Sequence, residues 1–196
     1  MEKVVKKKSR QQLRNEKFLS LPKAQQRVEI AKDVIKMVKA GKIIAQRGTY
    51  FRSSDEVLTK EGADLQKLLC SSKTNTCEVC GIGAAFYSLV RKADRFKLSG
   101  NMLNDAWWDD REGIKELSGI GDDDMRKLLR KHFSSKQLTL IETAFETYVA
   151  GNDNGYVPSE IDERKAINFG EKFDSSEGRL KAIMQNIIDN KGEFKP

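Results

Sequence analysis

The chain has one histidine and three cysteines in 196 residues, and no long hydrophobic run. Each scarcity removes a class of function. A lone His132 cannot make the two-histidine HExxH zinc motif, and a serine or cysteine triad built on it would need partners far away in sequence. An odd cysteine count does not build a disulfide framework and points to a reducing compartment. No apolar stretch approaches the ~18 residues of a membrane span. The charged N-terminus lacks the apolar core of a secretory leader, so an intracellular home is the expectation. What remains, 38% hydrophobic and 33% charged, is the composition of a soluble protein with a modest core. A chain of 196 residues is expected to form one domain.

The net charge of +7 is unevenly placed. Residues 1–27 hold nine bases against two acids, while the remaining residues balance, 27 against 27. The high pI therefore belongs to the N-terminal part. A basic flexible arm over 1–20 and a helical domain over 21–196 are expected, with Lys6, Lys7, Lys8 and Arg10 able to contact nucleic-acid phosphates. The opposite charge gathers over 105–124, where eight acids face two bases.

Periodicity predicts a mainly α fold of about seven or eight helices with one small β-hairpin. Ser20 and Pro22 suit a helix start, Val28, Ala31, Ile35 and Val38 make its stripe, and Gly41 ends it. Residues 43–51 (IIAQRGTYF) are β-rich around Gly48 and predict the hairpin or an extended segment. A weaker helix is expected over 56–70. Residues 77–90 (CEVCGIGAAFYSLV) are almost uncharged, and predict a helix over about 77–94, capped by Thr76 and buried on all sides. Its small residues predict close approach of a neighbouring helix backbone. Ser134 or Ser135 caps a later helix with Leu138, Ile141, Ala144, Phe145, Tyr148 and Val149 on one face. A helix over 159–172 follows. The last one, over 175–190, carries Leu180, Ile183, Met184, Ile187 and Ile188, with Gly192 as its stop.

Three groups of residues could carry chemistry. Cys77 and Cys80 stand two residues apart, and with Cys70 and His132 they make a three-sulfur, one-nitrogen set that tetrahedral zinc accepts. A redox pair would need a βαβ frame, which is not seen, and the third reading is that the cysteines are small buried hydrophobes. His132, late in a helix, also suits a cation at its C-terminal carbonyls. Residues 114–133 resemble the helix–hairpin–helix motif of DNA-binding proteins, through Gly119 and Gly121 followed by an amphipathic helix. Asp122, Asp123 and Asp124 depart from that motif, since carboxylates repel a phosphate, and they equally suit the first turn of a helix. Trp107, Trp108, Asp109 and Asp110 join these aspartates in an acidic, aromatic segment that could face a basic partner. The glycines at 81 and 83 make no phosphate loop, and 150–161 cannot chelate calcium, since Ala150 and Ile161 fall on ligand positions.

Four fragments together resemble a family of small tailed-bacteriophage and prophage proteins that has no established activity. They are RVEIAKDVI at 27–35, CEVCGIGA at 77–84, LIETAFE at 140–146 and RLKAIMQNIIDNKGEFKP at 179–196. The resemblance implies the host cell cytoplasm, and an accessory protein that binds a host protein or a signalling ligand, with inhibition of an antiviral defence as one outcome. Nucleic-acid binding through the basic arm and the 114–133 segment is the alternative, and zinc binding the next. No catalytic residue, no cofactor other than zinc and no membrane partner is expected.

Overall fold

The computed structural model describes residues 8–53, 65–70, 76–93, 122–149 and 154–196. Among them are eight helices and three short strands, so the fold is mainly α. The helices are α1 (Arg10–Leu19), α2 (Lys23–Lys39), α3 (Leu65–Cys70), α4 (Gly81–Ala93), α5 (Asp122–Leu129), α6 (Ser135–Glu146), α7 (Glu160–Glu171) and α8 (Ser176–Asp189). The strands are β1 (Ile43–Ala45), β2 (Phe51–Ser53) and β3 (Cys77–Val79).

Helix α4 is the hub, and every residue from Gly81 to Val90 is buried. It packs against α1, α2, α3, α5 and α6. Its start differs from the sequence expectation. Cys77, Glu78 and Val79 alternate buried, half-buried and buried, which is the period of a strand, and they form β3. Cys80 takes the capping position instead of Thr76: its carbonyl accepts from the Ala84 N–H (2.9 Å) and its sulfur from the Gly83 N–H (3.4 Å). Thr76 donates its hydroxyl to the Gly41 carbonyl (2.9 Å).

The predicted hairpin is also corrected. Both of its arms are strands, but β3 lies between them, parallel to β1 and antiparallel to β2. Ile43 sits opposite Cys77, and Phe51 opposite Val79. Buried β3 needs partners for its backbone N–H and C=O groups on both edges, and pairing with one strand alone would have left one of those edges unpaired. The backbone that approaches α4 is the segment entering β2, not a helix: a Cβ built on Gly83 would stand 1.5 Å from the Tyr50 carbonyl oxygen.

Residues 10–19 are not a flexible arm. Ser9 and Gln12 form a reciprocal capping box, and the helix that follows docks Phe18 (6% exposed) and Asn15 into the core. Gln11 donates to the Arg91 carbonyl at the end of α4 (3.4 Å). Ser20 accordingly caps the end of α1 instead of starting α2. In α2 the buried stripe is centred on Ile30 and Val34, with Ile35 only half-buried. A Schellman motif closes the helix, with Gly41 N–H on the Val38 carbonyl and Lys42 N–H on that of Met37 (both 3.0 Å).

Ser134, Ser159 and Ser175 cap α6, α7 and α8 through side-chain bonds to backbone N–H groups. Helix α6 ends at Glu146, so Tyr148 and Val149 lie beyond its buried face and are about half exposed. Helix α8 buries Leu180, Ile183, Met184 and Ile187 against α2 and α6. It too ends in a Schellman motif, with one departure from the sequence reading. The left-handed residue is Lys191 (φ 55), and Gly192 follows at φ 100. Gly192 is required for a second reason: a Cβ there would lie 2.3 Å from the Ala24 carbonyl oxygen.

Candidate functional site

The chain turns from α1 into α2 through Leu21 and Pro22, and that corner is locked from inside by Gln26. Its amide nitrogen donates to the Leu19 (3.1 Å) and Leu21 (2.7 Å) carbonyls, and its oxygen lies 2.6 Å from His132 Nδ1. From the corner, α1 runs along α4 while α2 runs along α8. The divergence opens a cleft of about 860 Å³ between α1 and the α2–α8 pair.

The cleft has an aliphatic floor and a basic rim. Leu21, Val28 and Ile188 are half-buried along it, over the buried Phe18. Arg14 and Lys17 come from α1, Lys32 from α2, Lys92 from the end of α4 and Lys191 from the end of α8. Among the described residues one acid, Glu29, answers these five bases, and it is shared by Lys32 (3.2 Å) and Lys92 (3.8 Å). Lys92 also stands over the Phe18 ring, 5.8 Å from its centroid, and so covers the aromatic face. Arg14, Lys17 and Lys191 are exposed and have no acidic partner among the described residues. Three exposed cations around apolar surface favour a ligand that is anionic at its edges and aliphatic at its centre.

A second polar cluster is closed to ligands. Arg126 is wholly buried and grips Glu142 with both terminal nitrogens, each 3.0 Å from a carboxylate oxygen. Asn154 donates to the same carboxylate (2.8 Å), and Tyr50 donates its hydroxyl to it (2.7 Å) while accepting from Arg126. Glu146, one turn on, accepts from the Gly48 N–H (3.1 Å) and lies 3.8 Å from Arg47. Burial raises the Glu146 pKa, against the pull of the Gly48 bond and Arg47. The adjoining cavity of about 110 Å³ is far below the ~300 Å³ of a small ligand site. The cluster ties β2, α5, α6 and the 154–158 segment together.

The metal set does not assemble. Among the described residues, which include Cys70, Cys77, Cys80 and His132, no three His, Cys, Asp or Glu side chains could hold a metal ion. The reason is the length of α4. Cys80 lies at its start and Cys70 contacts the Arg91 carbonyl at its end (3.8 Å), roughly 15 Å away at 1.5 Å per helical residue. Cys80 is a buried thiol with its pKa pushed up to about 12, mainly by desolvation, the opposite of the lowered pKa that a redox thiol uses. His132 is neutral and not a helix-terminal cation: burial, then Lys23, Lys131 and Arg27, lower its pKa to about 4. Its own carbonyl is met by Arg27 instead (2.8 Å).

Lys8 pairs with Glu16 (2.8 Å), and Arg10 is exposed at the start of α1. Lys6, Lys7, Trp107, Trp108, Asp109, Asp110, Gly119 and Gly121 lie outside the described residues, so the hairpin of the 114–133 segment does too. Asp122, Asp123 and Asp124 occupy the first turn of α5. The cleft was missed as a unit, yet part of it is visible in the sequence. Arg14, Lys17 and Leu21 recur at helical spacing, as do Gln25, Val28, Glu29 and Lys32. Lys92 and Lys191 arrive from remote positions, with no sequence signal.

By fold and cleft this is a mainly helical protein with a cation-rimmed apolar groove; among the described residues no helix is long and apolar enough to cross a membrane. Comparison with known proteins gives no match to a family model, a curated protein or a solved structure.

Proposed function

We propose that this is a phage accessory protein that works by binding, in the host cytoplasm, an acidic host protein in the α1/α2/α8 cleft, with interference in an antiviral defence as the consequence. The observation that carries the binding reading is the cleft itself, five bases against one acid around Leu21, Val28 and Ile188. The phage setting rests on the resemblance of the four fragments, of which the C-terminal one also builds α8 and Lys191.

Comparative affinity capture tests it, with the wild type and an Arg14→Glu/Lys17→Glu variant as baits in lysate of the infected host. A host protein kept by the wild type and lost by the variant is the expected result. Identical captures by both baits would remove the cleft from the function. Nucleic-acid binding is the second reading, favoured by the exposed Arg10, Arg14 and Lys17 on α1, which continue the charge of the first eight residues. It requires DNA binding that weakens steeply with salt and with the same charge reversal.

A further inference from the structure

Resting on that reading of the cleft, we infer that the segment of the partner taken there is an acidic amphipathic helix. Its apolar stripe would lie on Leu21, Val28 and Ile188, with its flanking carboxylates on Arg14 and Lys17 at one wall and Lys191 at the other. A groove between diverging helices accepts side chains at i, i+3, i+4 and i+7, which is how helices seat in apolar grooves. The walls come from α1 on one side and α2 with the end of α8 on the other, and no strand among the described residues lines the cleft, so an extended peptide finds no sheet edge there to pair with.

The charge arrangement selects an acidic occupant over a neutral one. Burying the floor under a neutral helix would leave Arg14, Lys17 and Lys191 beside apolar surface with no counter-charge, whereas glutamates flanking the stripe answer each of them. The floor selects against single-stranded nucleic acid, which needs open aromatic faces. Among the described residues that line the cleft, the one ring is Phe18, which is 6% exposed and covered by Lys92.

Lys191 adds an independent sign. It holds the left-handed conformation (φ 55) at the position after a helix cap where glycine is the unstrained residue. It is exposed, has no acidic partner among the described residues, and lines the cleft. The lysine side chain carries a charge from the C-terminal end of α8, where it also meets the helix dipole, to the edge of the cleft.

Fluorescence anisotropy on the full chain tests the inference. The probes are a labelled acidic helical peptide of roughly 16 residues with one leucine stripe, its scrambled isomer, a DNA oligonucleotide, and phosphatidylglycerol vesicles. The stripe-bearing peptide is expected to bind at least about tenfold tighter than the scramble, and to lose that margin in Arg14→Glu/Lys17→Glu. Lys191→Gly separates binding from folding, since it relieves the strain: weaker peptide binding with an unchanged or higher Tm is expected. Equal affinity for both peptides overturns the helix while leaving an acidic partner in place. Binding of neither peptide, or of DNA or vesicles alone, overturns the inference together with the protein-binding reading. Unchanged peptide binding in Lys191→Gly overturns the role given to that lysine.

Discussion

Gly83 and Tyr50 meet backbone to backbone: a Cβ on Gly83 would stand 1.5 Å from the Tyr50 carbonyl oxygen, well inside any tolerated contact. The approach presses the segment entering β2 onto the first turn of α4, where the fold is most buried. Gly83→Ala is therefore expected to cost at least the ~1–3 kcal/mol of an overpacked core, and Gly83→Leu to prevent folding. Thermal denaturation of the alanine variant and soluble yield of the leucine variant check this. A Gly83→Ala Tm equal to the wild type's would mean that β2 does not sit where it is described.

Arg126 and Glu142 form a fully buried ion pair with Tyr50 and Asn154 as further partners. Removing one charge strands the other. Glu142→Ala should destabilise the protein by about 3–5 kcal/mol, whereas the paired change Arg126→Met/Glu142→Leu should recover much of that loss. Urea unfolding of the two variants reads the difference. Equal loss in both would show that the hydrogen bonds of Tyr50 and Asn154, and not the charges, hold the site.

His132 gives the fold a pH dependence with a definite sign. Its pKa is lowered to about 4 in the folded protein from an ordinary 6.5, so the native state favours the neutral ring. The associated stability is fully present above pH 6.5 and is lost as pH falls from there to about 4, up to ~3 kcal/mol in all. Urea midpoints measured from pH 7 to pH 4 should fall less for His132→Phe than for the wild type. Parallel curves would contradict a neutral, buried histidine.

The thiols should divide into one reactive group and two silent ones. Cys70 is exposed, while Cys77 and Cys80 are buried, with Cys80 held protonated up to about pH 12. An aromatic disulfide reagent at pH 8 should label one cysteine in the native protein and three in guanidinium. Rapid labelling of a second native thiol would show that α4 opens at its N-terminus.

Helix existence was legible because apolar spacing and capping residues act locally. Ser134 caps as expected, the helices expected from about 159 and 175 begin there, and α8 carries its stripe where expected. The two largest misreadings concern residues whose state is decided by something distant. Cys77–Val79 is a strand because β1 and β2 flank it, although its residues suit a buried helix equally well. Residues 10–19 looked like a solvated arm because one buried aromatic, Phe18, is a weak sequence signal, yet it anchors the helix on α4.

By itself the sequence determined a mainly helical protein, with the cap at Ser134, a buried stretch within 77–90 and a charge excess confined to the N-terminal part. These follow from short-range preferences and from hydrophobic periodicity. Tertiary structure alone decided that four attractive metal ligands stay apart, since the length of α4 separates two of them. It also decided that Arg14, Lys17, Lys92 and Lys191 come together. A cleft rim is built from the ends of helices remote in the chain, and only packing around α4 brings those ends to one place.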